Sequence, residues 1–261
     1  MFLERDALPR ERSIRRDDRH SVAGQAMVPI QEGPAPSRTT IPETVLTLLL
    51  LIPAVPVIVV AAILVKLTSR GPVFYLQKRV GQNGRTYILY KIRTMIHDCE
   101  RHTGPRWATA HDPRITRVGR WLRRFHIDEL PQLWNVLRGE MSLVGPRPER
   151  PEIAEHLERL IPRYRERLAV RPGLTGLAQV QLPPDCDLAS VRAKLAYDLY
   201  YVQHVSWWLD LRILLCTGCL LLGVPFTFSN RWLKLPNGNC VEQAYQGVLR
   251  NGKVDLTIQV S

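Results

Sequence analysis

The residues best equipped for chemistry lie in one stretch, His126-Ile-Asp-Glu-Leu-Pro-Gln-Leu-Trp-Asn-Val-Leu-Arg-Gly-Glu-Met-Ser-Leu-Val-Gly-Pro-Arg-Pro-Glu-Arg150. Adjacent carboxylates, Asp128 and Glu129, open a short helical pattern. Arg117, Arg120, Arg123 and Arg124 precede them, and a stiff Gly145-Pro146-Arg147-Pro148 turn follows. Two readings of the acidic pair compete. An Asp just before an apolar-periodic run, with Pro131 in the first turn, is a common helix N-cap, and Glu129 is then a first-turn acid favoured by the helix dipole. The alternative is phosphate chemistry. Beside Arg123 and Arg124, Asp128 is expected to have a depressed pKa and to stay ionised. An ionised, partly desolvated Asp can attack phosphorus. A second carboxylate next to it can hold Mg2+, which neutralises phosphate oxygens. Guanidinium groups complete such a site with bidentate contacts. Arg147 lies between two prolines and Arg171 precedes Pro172-Gly173, so both have restricted backbones. Each arginine alone reads as a surface residue; several around one acidic pair read as a phosphate cradle.

The elements that must position these residues are partly legible. Residues 45–65 carry no charge over 21 positions, enough for a spanning helix. Pro53 and Pro56 sit near the centre, where each removes a backbone donor. Two geometries compete: a kinked transmembrane helix, and a helix-break-helix that enters and leaves on one face. Residues 66–97 hold Lys66, Arg70, Lys78, Arg79, Arg85, Lys91 and Arg93 with no acid, so the positive-inside rule puts that side in the cytoplasm. The N-terminal flank is also Arg-rich, which fits both ends on the cytoplasmic face. Residues 71–97 predict a hairpin, Pro72 to Leu76 and Thr86 to Tyr90 around a Gly81-Gln-Asn-Gly84 turn. Ile115, Val118, Leu122 and Phe125 recur at helical spacing, with Trp121 beside them and arginines opposite. That pattern suits an ordinary basic face or a membrane interface; with an apolar anchor in the same chain, the interface is the favoured reading. Leu130, Leu133, Trp134 and Leu137 mark another helix, stopped at Gly139. Further helices are expected over 152–169, interrupted by Pro162, over 188–204, and over 211–224, the last too short to span. A turn and a short strand are expected over 170–184. The last thirty-odd residues carry only weak strand signals. The fold class is therefore α+β, mainly helical: an N-terminal membrane helix, amphipathic interfacial helices and a small β-hairpin around a catalytic core. Its expected parts are a disordered tail (1–40), a membrane helix-break-helix (41–70), a catalytic domain (71–224) and a C-terminal extension of unknown role (225–261).

Composition narrows the partners. Lys and Arg number 36 against 24 Asp and Glu, a net charge of +12, which favours nucleic acid, an acidic membrane surface or phosphorylated substrates. The five cysteines have no disulfide-framework spacing, which points to a reducing compartment. Cys216 and Cys219 lie in an apolar run and read as core packing rather than a metal or redox site. The N-terminal segment is not expected to act as a signal peptide, because the apolar run begins too late and no small-residue cleavage site follows. No nucleic-acid-binding motif is present, so nucleic acid is not expected as a partner.

Four blocks carry a family resemblance: Lys66 to Gly81; Tyr90-Lys-Ile-Arg-Thr-Met95; Asp112-Pro-Arg-Ile-Thr-Arg-Val-Gly119 through Val144-Gly-Pro-Arg-Pro148; and Arg171-Pro-Gly-Leu-Thr-Gly-Leu-Ala-Gln-Val180. Asp198-Leu-Tyr-Tyr-Val202 with Trp208-Leu-Asp-Leu-Arg-Ile-Leu214 is a weaker fifth. In this order, over about residues 41–222, the chain resembles the bacterial sugar transferases, the small monotopic phosphoglycosyl transferases. The resemblance implies transfer of a sugar-1-phosphate from a nucleoside diphosphate sugar, expected to be a UDP-sugar, to a polyprenyl phosphate such as undecaprenyl phosphate. That reaction initiates exopolysaccharide, O-antigen or other glycoconjugate synthesis. By the same resemblance, Asp128 is the nucleophile of a ping-pong reaction and Glu129 the Mg2+ ligand. Arg123 lines the phosphate site, and Lys91, Arg147 and Arg171 make phosphate or nucleotide contacts. Asp198 falls in a family motif without an assignable role. The family's anchor breaks at a Ser-Pro pair and re-enters the inner membrane's cytoplasmic face, with the catalytic domain in the cytoplasm. Here Val55-Pro56 replaces that pair, and Pro53 adds a second break. After Val180 the chain reads Gln181-Leu-Pro-Pro-Asp185 where many members have Asn-Gly-Arg-Asn, so donor preference is open. The several-helix N-terminal half of larger members has no counterpart here, and the minimal catalytic form is expected. A homodimer is allowed. The competing non-enzymatic reading, a membrane-anchored basic scaffold binding acidic lipid or nucleic acid, leaves the acidic pair unexplained.

Overall fold

The computed structural model describes residues 40–99, 112–183, 187–226 and 232–251. The expectation of a disordered tail falls on residues outside these. The first element is α1 (Ile41–Thr68). The helical assignment continues through Pro53 and Pro56, the two positions at which a kink or a break was expected. Each proline deletes one backbone donor from this 28-residue helix. Thr47, Ala54, Ala61 and Val65 are buried, at spacings that share one helix face. The opposite face exposes Leu48, Leu49, Ile52, Val59, Val60 and Ile63. The helix is long and apolar enough to cross a membrane.

Both ends of α1 are fastened to the rest of the molecule. Near its start, Glu43 accepts hydrogen bonds from Ser142 Oγ, the Leu143 amide and Arg171 Nη2. At its end, Val65 packs with Ile92 and Leu122, and Arg93 donates to the Ser69 and Arg70 carbonyls.

β1 (Phe74–Val80) and β2 (Thr86–Ile92) form the expected antiparallel hairpin, in register from Phe74–Ile92 to Val80–Thr86. Asn83 makes the turn with φ 56°, a conformation Asn tolerates better than most residues. A second, parallel pair, β3 (Ser142–Val144) and β4 (Gly173–Thr175), was legible only in its second strand. Between them run α4 (Pro151–Leu160) and a 3-10 turn, Tyr164–Ala169, so the helix expected over 152–169 divides at Pro162.

Gly145 and Gly173 let these strands cross closely. A Cβ on Gly173 would stand 2.1 Å from the Gly145 amide nitrogen, and one on Gly145 2.4 Å from the Arg171 carbonyl oxygen. Neither neighbour is a flexible side-chain tip. Gly173→Ala is therefore expected to destabilise the protein by about 2–4 kcal/mol, a loss typical of backbone overpacking, read as a drop in the thermal midpoint.

The helices α2 (Arg117–Arg124), α3 (Leu133–Leu137), α5 (Leu177–Gln181), α6 (Leu188–Gln203), α7 (Trp207–Leu221) and α8 (Gly238–Asn251) complete the described structure. Residues 177–181 are helical where a strand was expected, and α8 replaces the weak strand signals of the C-terminal region. Val241, Ala244 and Tyr245 stand at helical spacing, and α8 packs on α6. The core joins Leu133, Val136, Met141, Leu143, Val144, Leu177, Tyr201, Leu209 and Ile213. Cys216 is buried in that core, as its apolar context predicted.

Candidate active site

Local backbone chemistry sets the acidic pair in place. α2 is capped by Thr116, whose Oγ1 accepts from the Gly119 amide. The chain leaves α2 at Phe125 and turns through His126 at φ 53° into a 3-10 segment, Ile127–Gln132. His126, not Asp128, is the N-terminal flank of that segment, and no side chain caps it. The helix-cap reading of Asp128 is thus replaced: it sits inside the turn, buried, and accepts no hydrogen bond from any described residue.

Glu129 is the hub. Its Oε1 accepts from Lys91 Nζ at 2.7 Å and from Arg147 Nη2 at 2.8 Å. Lys91 comes from β2, Glu129 from the 3-10 segment, and Arg147 from the Pro-Arg-Pro turn after β3, so three separate parts of the chain converge. Asn135, fully buried on α3, aligns two of them. It accepts from the Tyr90 amide and donates to the Ile88 carbonyl and to Glu140.

Burial and neighbouring cations drive the two carboxylates apart. Burial pushes Glu129 up, but Arg147 and Lys91, by charge and by hydrogen bond, outweigh it and hold the group well below the ordinary carboxylate range. Asp128 moves the other way. Desolvation and then the Glu129 charge raise its pKa, and Lys91, Arg123 and His126 only partly offset them. The depressed pKa expected for Asp128 is therefore corrected to a raised one, because the site is drier than adjacent arginines suggested and Glu129 takes most of the positive charge. Lys91 is lowered, first by burial, with Glu129 opposing.

Arg123 bonds Thr94 Oγ1 through Nε at 2.8 Å, and its charge is felt at both Asp128 and Asp112. Arg171 stands apart from the acidic pair. It donates to the Met141 carbonyl and pairs with Glu43 at 2.7 Å, joining α1 to the β3–β4 strands. Arg117, Arg120 and Arg124 are exposed. Four contributors were not singled out from sequence: Asn135, Glu43, Arg79 and Arg167. Asn135 alone had a readable signal, a carboxamide inside an otherwise apolar helix.

Among the described residues no three His, Cys, Asp or Glu side chains cluster as metal ligands. Hard oxygens from one or two carboxylates suit Mg2+ only when substrate phosphates supply further ligands. The pair Asp128–Glu129 fits that pattern and does not fit a self-sufficient protein cage.

The carboxylate pair thus lies among cations, in a unit that carries a long, largely exposed apolar helix. The family described as bacterial sugar transferase matches residues 38–223, and the chain belongs to that family. It is 45% identical over 162 residues to a UDP-N-acetylgalactosamine-undecaprenyl-phosphate N-acetylgalactosaminephosphotransferase of Aeromonas hydrophila, covering 62% of this chain and 38% of that one. It is 47% identical over 171 residues to a UDP-glucose:undecaprenyl-phosphate glucose-1-phosphate transferase of Caulobacter vibrioides, covering 64% and 63%. It is 44% identical over 167 residues to the exopolysaccharide production protein PSS of Rhizobium leguminosarum bv. phaseoli, covering 62% and 84%. The matched part spans little more than a third of the Aeromonas relative.

Proposed function

We propose that the protein transfers a sugar-1-phosphate from a UDP-sugar to undecaprenyl phosphate at the cytoplasmic face of the bacterial inner membrane. The observation that carries this reading is Glu129 held between Lys91 and Arg147 beside an unbonded, buried Asp128. The relatives' names supply the substrates. An Asp128 oxygen attacks the sugar-bearing phosphorus; the bond from that phosphorus to the bridging oxygen breaks, and UMP leaves. An oxygen of undecaprenyl phosphate then attacks the same phosphorus, the aspartyl bond breaks, and Asp128 is freed with the lipid diphosphate sugar. Lys91, Arg123 and Arg147 balance charge on the phosphoryl oxygens; Arg171 keeps α1 on the catalytic strands. Mg2+, held by Glu129 with the donor phosphates, would neutralise charge on the leaving group. Glu129 stays ionised for this purpose because its cations keep its pKa low.

The acceptor places the site at a lipid surface. The exposed apolar face of α1, and exposed Trp121, Phe125, Trp134, Trp207 and Trp208, supply an amphipathic border of the kind that settles at headgroup level. Attachment of both ends of α1 to one catalytic unit supports a helix that dips into one leaflet and returns. With Thr40→Cys and Arg70→Cys variants in oriented membranes, a thiol reagent that does not cross membranes is expected to label both from the cytoplasmic side only; labelling from opposite sides contradicts the re-entrant geometry.

The function is tested by incubating purified protein with Mg2+, undecaprenyl phosphate, and UDP-glucose or UDP-N-acetylgalactosamine. The expected products are UMP and an undecaprenyl diphosphate sugar from at least one donor. A protein that binds the lipid but cleaves no UDP-sugar overturns the proposal in favour of the scaffold reading.

A further inference from the structure

The Pro-Arg-Pro turn has no amide hydrogen at either proline, so it can be fixed mainly through its carbonyls. Four successive carbonyls are indeed taken. Pro146 accepts from the Gly173 amide and Glu149 from the Val80 amide, each at 2.9 Å. Pro148 accepts from Arg79 Nη1 and Arg147 from Arg167 Nη2, each at 2.8 Å. The last bond is unusual in its support. Arg167 is buried, and its Nη2 also pairs with Asp198 at 2.7 Å, the two side chains being 8% and 6% exposed. Its Nη1 donates to Tyr164 Oη at 2.8 Å, and its guanidinium lies 5.2 Å from that ring centroid. Asp198 belongs to α6 and Arg167 to the Tyr164–Ala169 turn, so the pair spans two elements behind the site. A buried ion pair is weak as a source of stability, since desolvation offsets its attraction. What it does here is hold one atom, the carbonyl of the residue whose side chain reaches Glu129.

We propose that Arg167 and Asp198 are positioning residues, which fix the Arg147 backbone so that its guanidinium is aimed at Glu129 and the donor phosphates. The inference rests on the proposed phosphoglycosyl transfer only for its kinetic readout; the geometry of the Arg147–Glu129 pair is independent of activity. It also gives Asp198 a role that its sequence motif alone did not.

Removing one partner would strand a buried charge and can unfold the protein, so the pair is best removed together as Arg167→Met with Asp198→Leu, which keeps volume and leaves no lone ion. The thermal midpoint should stay near wild type. The specificity constant kcat/KM for the UDP-sugar should fall about 10- to 100-fold, as expected when a charged group is slightly misplaced. Combined with Arg147→Ala, the paired variant should add no further loss, because both changes remove the same aimed guanidinium. In a crystal structure of the paired variant, the hydrogen bond from Arg147 Nη2 to Glu129 Oε1, 2.8 Å in the wild type, should be lost. Losses that multiply with Arg147→Ala, or an Arg147–Glu129 contact that stays in place, overturn the proposal. If the paired variant does not fold, Arg167→Lys, which keeps a cation opposite Asp198 but loses the guanidinium fork that also reaches the Arg147 carbonyl, enters the same cycle with the same two criteria. Should the wild type cleave no UDP-sugar, the function reading fails and the Arg147–Glu129 geometry still decides this one.

Discussion

Asp128→Asn is expected to abolish cleavage of the UDP-sugar, lowering turnover by on the order of 10⁴-fold or more, as loss of a covalent nucleophile does. The same change should not unfold the protein. Asp128 caps no helix and accepts no hydrogen bond from a described residue, and burial disfavours its charge. A neutral amide of the same shape removes that desolvation cost, so the thermal midpoint should hold or rise. The wild-type pH profile follows from the same environment. The nucleophile must be ionised, and its folded pKa lies above 3.8 because of burial and the Glu129 charge. Activity should therefore fall as pH drops through that raised value. Glu129, held well below 4.5, should not set this acidic limb. Steady-state kcat/KM against pH checks both statements; an acidic limb at or below the ordinary Asp value contradicts them.

Glu129→Ala is expected to have the second-largest effect, and on both stability and rate. It leaves Lys91 and Arg147 facing each other without the carboxylate that now accepts from both at 2.7 and 2.8 Å. Breaking a buried pair by removing one partner costs about 3–5 kcal/mol, and the half-exposed Arg147 side chain brings the expectation down to about 2–4 kcal/mol. Lys91, already lowered by burial, loses the main charge that opposes that shift. Turnover should fall about 10²- to 10³-fold, the scale of removing one electrostatic contributor to a charged transition state. Glu129→Gln separates the two effects: it keeps an acceptor oxygen and should fold better than the alanine variant while remaining slow. Titrating Mg2+ against rate in both variants should show half-saturation at a higher Mg2+ concentration than in the wild type.

Part of this arrangement was legible in the chain alone. The hairpin was readable because period-two strands flank a Gly-Gln-Asn-Gly turn; Arg147 stood out by its stiff neighbours, Arg123 by its place in the arginine run, and Lys91 through the family resemblance alone. Glu129 as a hub, however, depends on three segments converging, which spacing cannot show. The sign of the Asp128 shift was misjudged for a related reason: sequence proximity to arginines is visible, whereas burial and the partition of positive charge toward Glu129 are tertiary facts. Arg171 was expected among the phosphate contacts because the residues that hold it, Glu43 and Met141, are 128 and 30 positions away. A kink and a break at Pro53 and Pro56 were both left open, because local rules weigh the missing donors and not the stripe of Thr47, Ala54, Ala61 and Val65 that seats the helix on the domain. β3 was missed because a three-residue strand carries no periodic signal.

The central claim is that Asp128 becomes covalently loaded. The most direct test is to mix wild-type protein with Mg2+ and a UDP-sugar it cleaves, in the absence of undecaprenyl phosphate, quench rapidly in acid, and determine the mass of the peptide containing Asp128. The account predicts one sugar phosphate added at Asp128, with one UMP released per loaded site, and loss of the adduct when undecaprenyl phosphate is supplied before quenching. Release of UMP only after the lipid is added, with the peptide unmodified throughout, would contradict it and would mean that the lipid phosphate attacks the donor directly.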